Sequence, residues 1–430
     1  MADVMTRRGL HYGWIVAATT FLTMLVTAGA VGAPGVLLLP LQREFGWSTA
    51  AISAALALRF LFFGLMGPFA AAFINRYGVR RVTLTALFLI GSALALSLLM
   101  GHLWQLMLLW GVVLGLGTGL TALVLAATVS ARWFDARRGL VVGLLTASSA
   151  TGQLVFLPLL AAMETRFGWR SALLTVCAFL AVAAVAAFLF LRNRPSDLGL
   201  KPYGADPKAV PAADQAGADP SIVAAALSSL AEAARTRIFW VLFGTFFICG
   251  ASTNGLIQSH FIPFCSDRGL TEVLAAGVLA TMGIFDFFGT VASGWLSDRF
   301  SPGRLLFWYY GLRGLSLIYL PFASFNYAGL SLFALFYGLD WVATVPPTVN
   351  LTVKHFGRER SNLVFGWVFA GHQLGAATAT LGAGIARTEF STYLPAFLTA
   401  GALCVIAAAF TLTLEPGVAK RAMITQTSQP

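Results

Sequence analysis

Apolar residues recur along this chain in stretches of about 20, the length of a helix that crosses the roughly 30 Å core of a bilayer. Twelve such spans can be marked, near 14–40, 50–73, 82–101, 104–130, 140–162, 171–191, 238–262, 273–294, 304–322, 326–352, 363–386 and 392–414. No other feature constrains the fold as tightly. Backbone N–H and C=O groups inside lipid must pair within the chain, so each stretch has to be a helix. The composition agrees, with 58% hydrophobic and 10% charged residues, where a soluble domain is about one-quarter charged. Span 1 is too long, and its flanks too tight, for a cleavable signal peptide. The expected fold class is an all-α, multi-pass membrane protein.

The net charge of +11 does not point to nucleic acid, because of where it lies. With the N-terminus in the cytoplasm, 21 of the 28 Lys and Arg fall on the cytoplasmic side and 5 outside, leaving Arg59 and Arg313 within spans. That asymmetry puts both termini in the cytoplasm of a cell (inner) membrane. Cys177, Cys249, Cys265 and Cys404 are scattered in or beside spans and read as lipid-compatible packing. No metal cluster, cofactor motif or nucleophile–base pair is visible, so an enzyme is not expected. A single chain is expected to suffice for function.

Residues 192–236 interrupt the pattern: "RNRPSDLGLKPYGADPKAVPAADQAGADP" reads as a solvated loop, and "SIVAAALSSLAEAARTR" as an interfacial helix. The chain divides into 1–191, a central loop 192–236, 237–414 and a cytoplasmic tail 415–430. Six spans stand on each side of the loop. The two sets echo one another: "AAAFINRYGVRR" after span 2 matches "SGWLSDRFSPGR" after span 8, and "RWFDARRGLVVG" after span 4 matches "KHFGRERSNLVFG" after span 10. Parallel six-span repeats related about the membrane normal are a transporter layout.

With Gly294, Asp298 and Arg299, "GWLSDR" resembles the loop motif of the major facilitator superfamily. The N-terminal copy keeps Arg76, Gly78, Arg80 and Arg81, with Asn75 in place of the acid and Ala71 in place of the first Gly. The resemblance implies two pseudo-symmetric six-helix bundles, with these residues at a cytoplasmic gate. "RWFDARRGLVVGLLTASSATG" is similar to the span-5 signature of the monocarboxylate transporters, with Trp133, Phe134, Arg137, Arg138, Leu140, Gly143, Ala147 and Gly152 in register. The resemblance sets Asp286 on that family's span-8 acid and Thr290 on its substrate-binding arginine.

Asp286 sits in a run with no other charge back to Glu272, where a carboxylate costs about 2.5–3.5 kcal/mol. Gly283, Gly289, Thr290 and Ser293 share its side of the helix, so it is expected to face the bundle interior. Asp340 is a second intramembrane acid, followed by Pro346 and Pro347, which are expected to bend span 10 and free carbonyls. Both acids are candidates for proton coupling. Arg313 is expected to pair with Asp286 or Asp340 rather than to meet substrate, whereas Arg59, with no acid in the N-terminal spans, is a candidate for an anionic group. Gly250, Gly255 and Pro263 are expected to weaken span 7 near its outer end, and Asn254 and Gln258 share one of its faces. His260 is read as interfacial or gating. His372 and Gln373 are adjacent in span 11, so only one is expected on a cavity wall. Gln153 is the candidate in span 5. "GVVLGLGTGL" inside span 4 reads as close helix packing, not a phosphate loop.

The expected function is a secondary carrier of a small organic acid anion with a proton, by alternating access. Its partners are then the acid, protons and lipid. A proton-driven exporter of amphiphilic compounds is the rival within transport. An intramembrane sensor or enzyme is the rival outside it.

Overall fold

The computed structural model describes residues 11–121, 123–205, 221–297, 299–325 and 327–414. Among these, nine helices are by themselves long and apolar enough to cross a membrane: Tyr12–Phe45, a second over Thr49–Ala70, Val79–Ser97, Leu103–Trp133, Trp169–Phe190, Arg237–Ser266, Glu272–Ser297, Gly329–Gly357 and Leu394–Leu414. The helices Arg138–Phe167 and Pro302–Tyr319, with residues 358–390 beyond a kink at Gly357, complete twelve. The last two are less apolar because Arg313, His372 and Gln373 lie within them. These helices are spans 1 to 12 in chain order, six in each bundle. The tail 415–430 and the loop 206–220 lie outside the described residues, as does Asp298.

Local chemistry sets the helix ends. Gly46, in the left-handed region at φ 67°, closes span 1, and the Ser48 hydroxyl then caps span 2 by accepting from Ala51 N–H. Gly357, at φ 78°, separates spans 10 and 11. Spans 3, 6, 9 and 12 turn large apolar side chains outward, among them Phe88, Phe188, Leu315 and Phe410. The polar groups that face the space between the halves come from the other eight spans. In span 1 Thr19, Thr20 and Thr23 are buried, and each donates to the carbonyl four residues back.

The central loop forms the helix Ser221–Ala233, which lies on span 11 through a hydrogen bond from Trp367 Nε1 to the Ala226 carbonyl at 2.9 Å. Ahead of it, Tyr203 exchanges backbone hydrogen bonds with Trp133 and Asp135 at the turn between spans 4 and 5. The halves meet along spans 2 and 11, 5 and 8, and 1 and 7.

Candidate functional site: a central cavity and a broken helix

A cavity of about 520 Å³ lies at mid-depth between the halves. Thr27, Phe63 and Thr118 line it from the N-terminal half; Asn254, Asp286 and Phe369 are among those lining it from the other. It extends to Gly143 of span 5 and Gly294 of span 8, a few residues from the helix ends nearest the termini. At the opposite end the halves are tied together. Arg43 of span 1 donates to Glu272 of span 8 at 2.8 Å, and Ala50 N–H donates to Thr388 Oγ1 at 3.0 Å.

Span 10 is broken beside this cavity. Its first helical segment ends at Asp340 and its second starts at Val345. Trp341 N–H already takes the Gly338 carbonyl at 3.0 Å, which leaves the Val342 N–H without a helical acceptor. Pro347 lacks the donor that would satisfy the Ala343 carbonyl, and Ser293 Oγ of span 8 supplies it instead at 2.5 Å. The expected bend is thus a short non-helical turn whose freed groups are met by spans 8 and 9. Asp286 Oδ1 accepts from Val342 N–H at 2.9 Å and from Thr290 Oγ1 at 3.0 Å. Thr290, standing where the resemblance implies an arginine, is therefore a ligand of the acid. Asp286 is 8% exposed and lines the cavity. A close fit holds spans 8 and 10 together here, because any Cβ at Gly289 would strike the Leu339 carbonyl.

Arg313, 1% exposed, pairs with Asp340 and not with Asp286. Its Nε donates to Asp340 Oδ2 at 2.6 Å, and its Nη2 donates to the backbone carbonyls of Asp340 and Trp341. The pair lies behind the cavity wall formed by Trp341 and Val342, which is why the acid on the wall and the acid in the pair are different residues. Cys249, read from sequence as packing, joins this cluster. Its Sγ is 3.0 Å from Arg313 Nη1 and 3.3 Å from Thr344 Oγ1, and it reaches the cavity wall. In the sequence nothing marks Cys249 for that role beyond the presence of an arginine in span 9.

Span 7 does not break at its glycines. It widens into a π-helical stretch, Ala251–Gln258, that carries both Asn254 and Gln258 on the cavity wall. Gly250 is there for contact, since a side chain would collide with the His372 carbonyl of span 11. His372 and Gln373 both line the cavity, contrary to the expectation of one, because span 11 forms a corner between the cavity and the seam with span 2. His260 is fully buried, its Nε2 2.9 Å from the Thr380 carbonyl and its Nδ1 3.4 Å from the Tyr393 hydroxyl. It ties span 7 to span 11.

Arg59 is not among the residues lining the cavity. It is 3% exposed, donates to the Val31 carbonyl of span 1 at 2.8 Å and lies 4.5 Å from the Phe60 ring. A backbone carbonyl at the helix seam takes the place expected for an anion. Near the termini, Arg80 donates to the Phe188 carbonyl at 2.6 Å and Arg76 stands over the Tyr77 ring. Gly78 has φ 86° and Arg81 is exposed. Arg299 stacks on Trp295, while Gly294 lines the cavity. The side chain of Gln153 is outside the described residues.

Two six-helix repeats around a mid-membrane cavity, tied at one end, define a membrane carrier rather than an enzyme. The chain belongs to the major facilitator superfamily, whose family model matches residues 19–380. It is 23% identical over 407 residues to the uncharacterized MFS-type transporter YcxA of Bacillus subtilis (strain 168), covering 94% of each chain. It is 27% identical to monocarboxylate transporter 13 of Rattus norvegicus, covering 94% of this chain and 89% of that one. With monocarboxylate transporter 11 of Mus musculus it shares 31% over 71% of this chain and 64% of the relative. Among solved structures, a bacterial homolog of the human lysosomal transporter Spinster, inward-facing and unoccupied, superposes with TM-score 0.72 at 17% identity, covering 94% and 97% of the two chains. The nucleoside transporter NupG superposes with TM-score 0.74 at 10% identity, covering 94% and 100%. Those two likenesses concern the fold alone.

Proposed function

We propose that this carrier moves a small organic acid anion together with a proton, and that Asp286 takes the proton. The observation that carries the reading is the setting of that carboxylate. One oxygen is held by the Val342 N–H at the break in span 10, on a cavity wall with no Lys or Arg among its described residues. The named monocarboxylate transporters among the relatives support an acid as cargo.

With both termini cytoplasmic, as the positive-inside distribution indicates, the cavity faces inward in the cell membrane. Arg76, Gly78, Arg80, Arg81, Gly294 and Arg299 then form the cytoplasmic gate, a role that the sequence motif alone extends to Asp298. Protonation of Asp286 from the outer side removes a charge-assisted bond to Val342 N–H and loosens span 8 from span 10. In this cycle the Arg313–Asp340 pair is a fixed brace; Asp340 takes the proton only if Asp286 does not.

The test is transport by reconstituted, well-folded Asp286→Asn, with and without an imposed proton gradient. It should bind and exchange substrate yet fail to accumulate it. Uphill uptake that survives the substitution removes Asp286 as the proton site and leaves Asp340. A second reading, export of amphiphilic compounds, is favoured by Phe63, Phe246, Phe287, Phe369 and Trp341 on the wall. Proton-driven efflux of a lipophilic dye, without acid uptake, would select it.

A further inference from the structure

The cavity wall holds polar groups that the protein itself does not satisfy. Gln258 is 4% exposed and Gln373 1% exposed, and both line the cavity. Gln258 Oε1, both amide atoms of Gln373 and His372 Nδ1 have no hydrogen-bond partner among the described residues. Buried side-chain polar atoms are ordinarily paired. All three residues belong to the C-terminal half, and Gln258 and Gln373 stand where the N-terminal half presses on it. Gly35 of span 1 packs on the Gln258 carbonyl, and Gly64 of span 2 packs on Gln373 Cβ. Next to them the wall turns aromatic. The His372 ring lies parallel to Phe369, at 9° and 5.6 Å, and 5.2 Å from Phe246, with Trp341 on the same cavity.

The unmet set contains nitrogens and two amide oxygens. A carboxylate supplies acceptors for the Gln373 amide N–H and for His372 in the tautomer that carries its proton on Nδ1, but nothing for the oxygens. A hydroxyl beside the carboxylate supplies a donor to one of the two oxygens. The space of about 520 Å³ lies within the roughly 300–1,000 Å³ of sites that take drug-sized ligands, so a two- or three-carbon acid would leave the aromatic wall uncovered. A second carboxylate would meet that wall or the Asp286 charge.

We infer that the substrate is an aryl-bearing hydroxy monocarboxylate. Its acid and hydroxyl sit between Gln258, Gln373 and His372, and its ring lies against Phe246, Phe369 and Trp341. The inference rests on the proposed acid–proton reading of the same site.

Calorimetric binding of phenyllactate, phenylpropionate, lactate and phenethylammonium to the purified protein tests it. Phenyllactate should bind most tightly. Loss of the ring should weaken binding about tenfold to a hundredfold, and loss of the hydroxyl by up to about tenfold. Gln373→Leu should abolish the advantage of phenyllactate over phenylpropionate yet keep that of phenylpropionate over propionate, added as the ring-free control, a split that misfolding would not produce. No binding of phenyllactate, lactate binding as tightly, or phenylpropionate binding as tightly each overturns the inference. Proton-driven uptake of lactate without preference for a ring would do so while leaving the proposed function standing. Equal binding of phenethylammonium, with no acid accumulated under a proton gradient, would overturn both.

Discussion

Asp340→Asn isolates the energetic role of the buried pair. The substitution removes the carboxylate that Arg313 Nε meets at 2.6 Å, and leaves a guanidinium 1% exposed with two carbonyls and a thiol. Stranding a buried charge in this way costs about 3–5 kcal/mol. Adding Arg313→Met removes the stranded charge. The carbonyls of Asp340 and Trp341 then lose their donor, at about 1–3 kcal/mol for each buried group left unmet. Refolding of the turn toward helix recovers part of that. The losses of the two single variants should therefore not add: the double variant should be more stable than their sum by about 0.5–3 kcal/mol, while remaining below wild type. The assay is thermal unfolding in detergent, followed by size-exclusion of the surviving fraction, for wild type, both single variants and the double. Simple additivity of the two losses would refute a direct pair. Folded Asp340→Asn should still drive uphill uptake with a proton gradient. Loss of coupling in protein that is demonstrably folded would show that the pair is not a passive brace.

Arg59→Met should leave the substrate KM within about threefold, because a lost contact worth 1.4 kcal/mol already gives tenfold and Arg59 does not line the cavity. A larger rise in radiotracer KM would return it to the site. Gly289→Ala should destabilise span 8 against span 10 by about 1–3 kcal/mol, since the carbonyl of Leu339 blocks its Cβ. Gly277→Ala on the same helix meets nothing within 4 Å and should be neutral or slightly stabilising in the same melting assay. Glu272→Gln should loosen the seam away from the termini. Because Arg43 is 64% exposed, the shift should be about 0.2–1 kcal/mol, read as an up to roughly fivefold faster labelling of a cysteine placed at Leu39. Unchanged labelling would exclude the ion pair as a closing contact.

The spans and the two-fold repeat were legible because membrane burial writes itself into sequence as length and apolarity, which depend little on partner helices. The inward aspect of Asp286 was legible for a similar reason: small and polar neighbours mark one side of span 8. What periodicity does not carry is the rotation of one helix against the next. Arg59 has the depth of a binding residue, but the seam between spans 1 and 2 offers it the Val31 carbonyl first. The partner of Arg313 depends on which freed carbonyls lie under its guanidinium, and these exist only once span 10 breaks. Cys249 carries no pattern of its own. It matters because the π-helical stretch and Gly250 bring span 7 against span 11 while Arg313 approaches from span 9.

The break in span 10 also accounts for a charge-bearing residue in a helix otherwise built for lipid. A carboxylate at such depth costs about 2.5–3.5 kcal/mol. A hydrogen bond to a charged group contributes about 1.5–3 kcal/mol and a second, weaker one about 0.5–1.5. Asp286 receives both, from Val342 N–H and from Thr290 Oγ1. The two sides nearly cancel, so the ionised acid is held close to balance rather than locked. An unbroken span 10 would commit the Val342 N–H to its own helix and remove the larger contribution. The break persists because Arg313 occupies the carbonyls of Asp340 and Trp341 and Ser293 occupies that of Ala343. The buried pair thus acts on the cavity without touching it. By keeping one backbone donor free, it leaves the Val342 N–H to Asp286, the contact that joins span 8 to span 10 at the break and the one that the proposed proton would weaken.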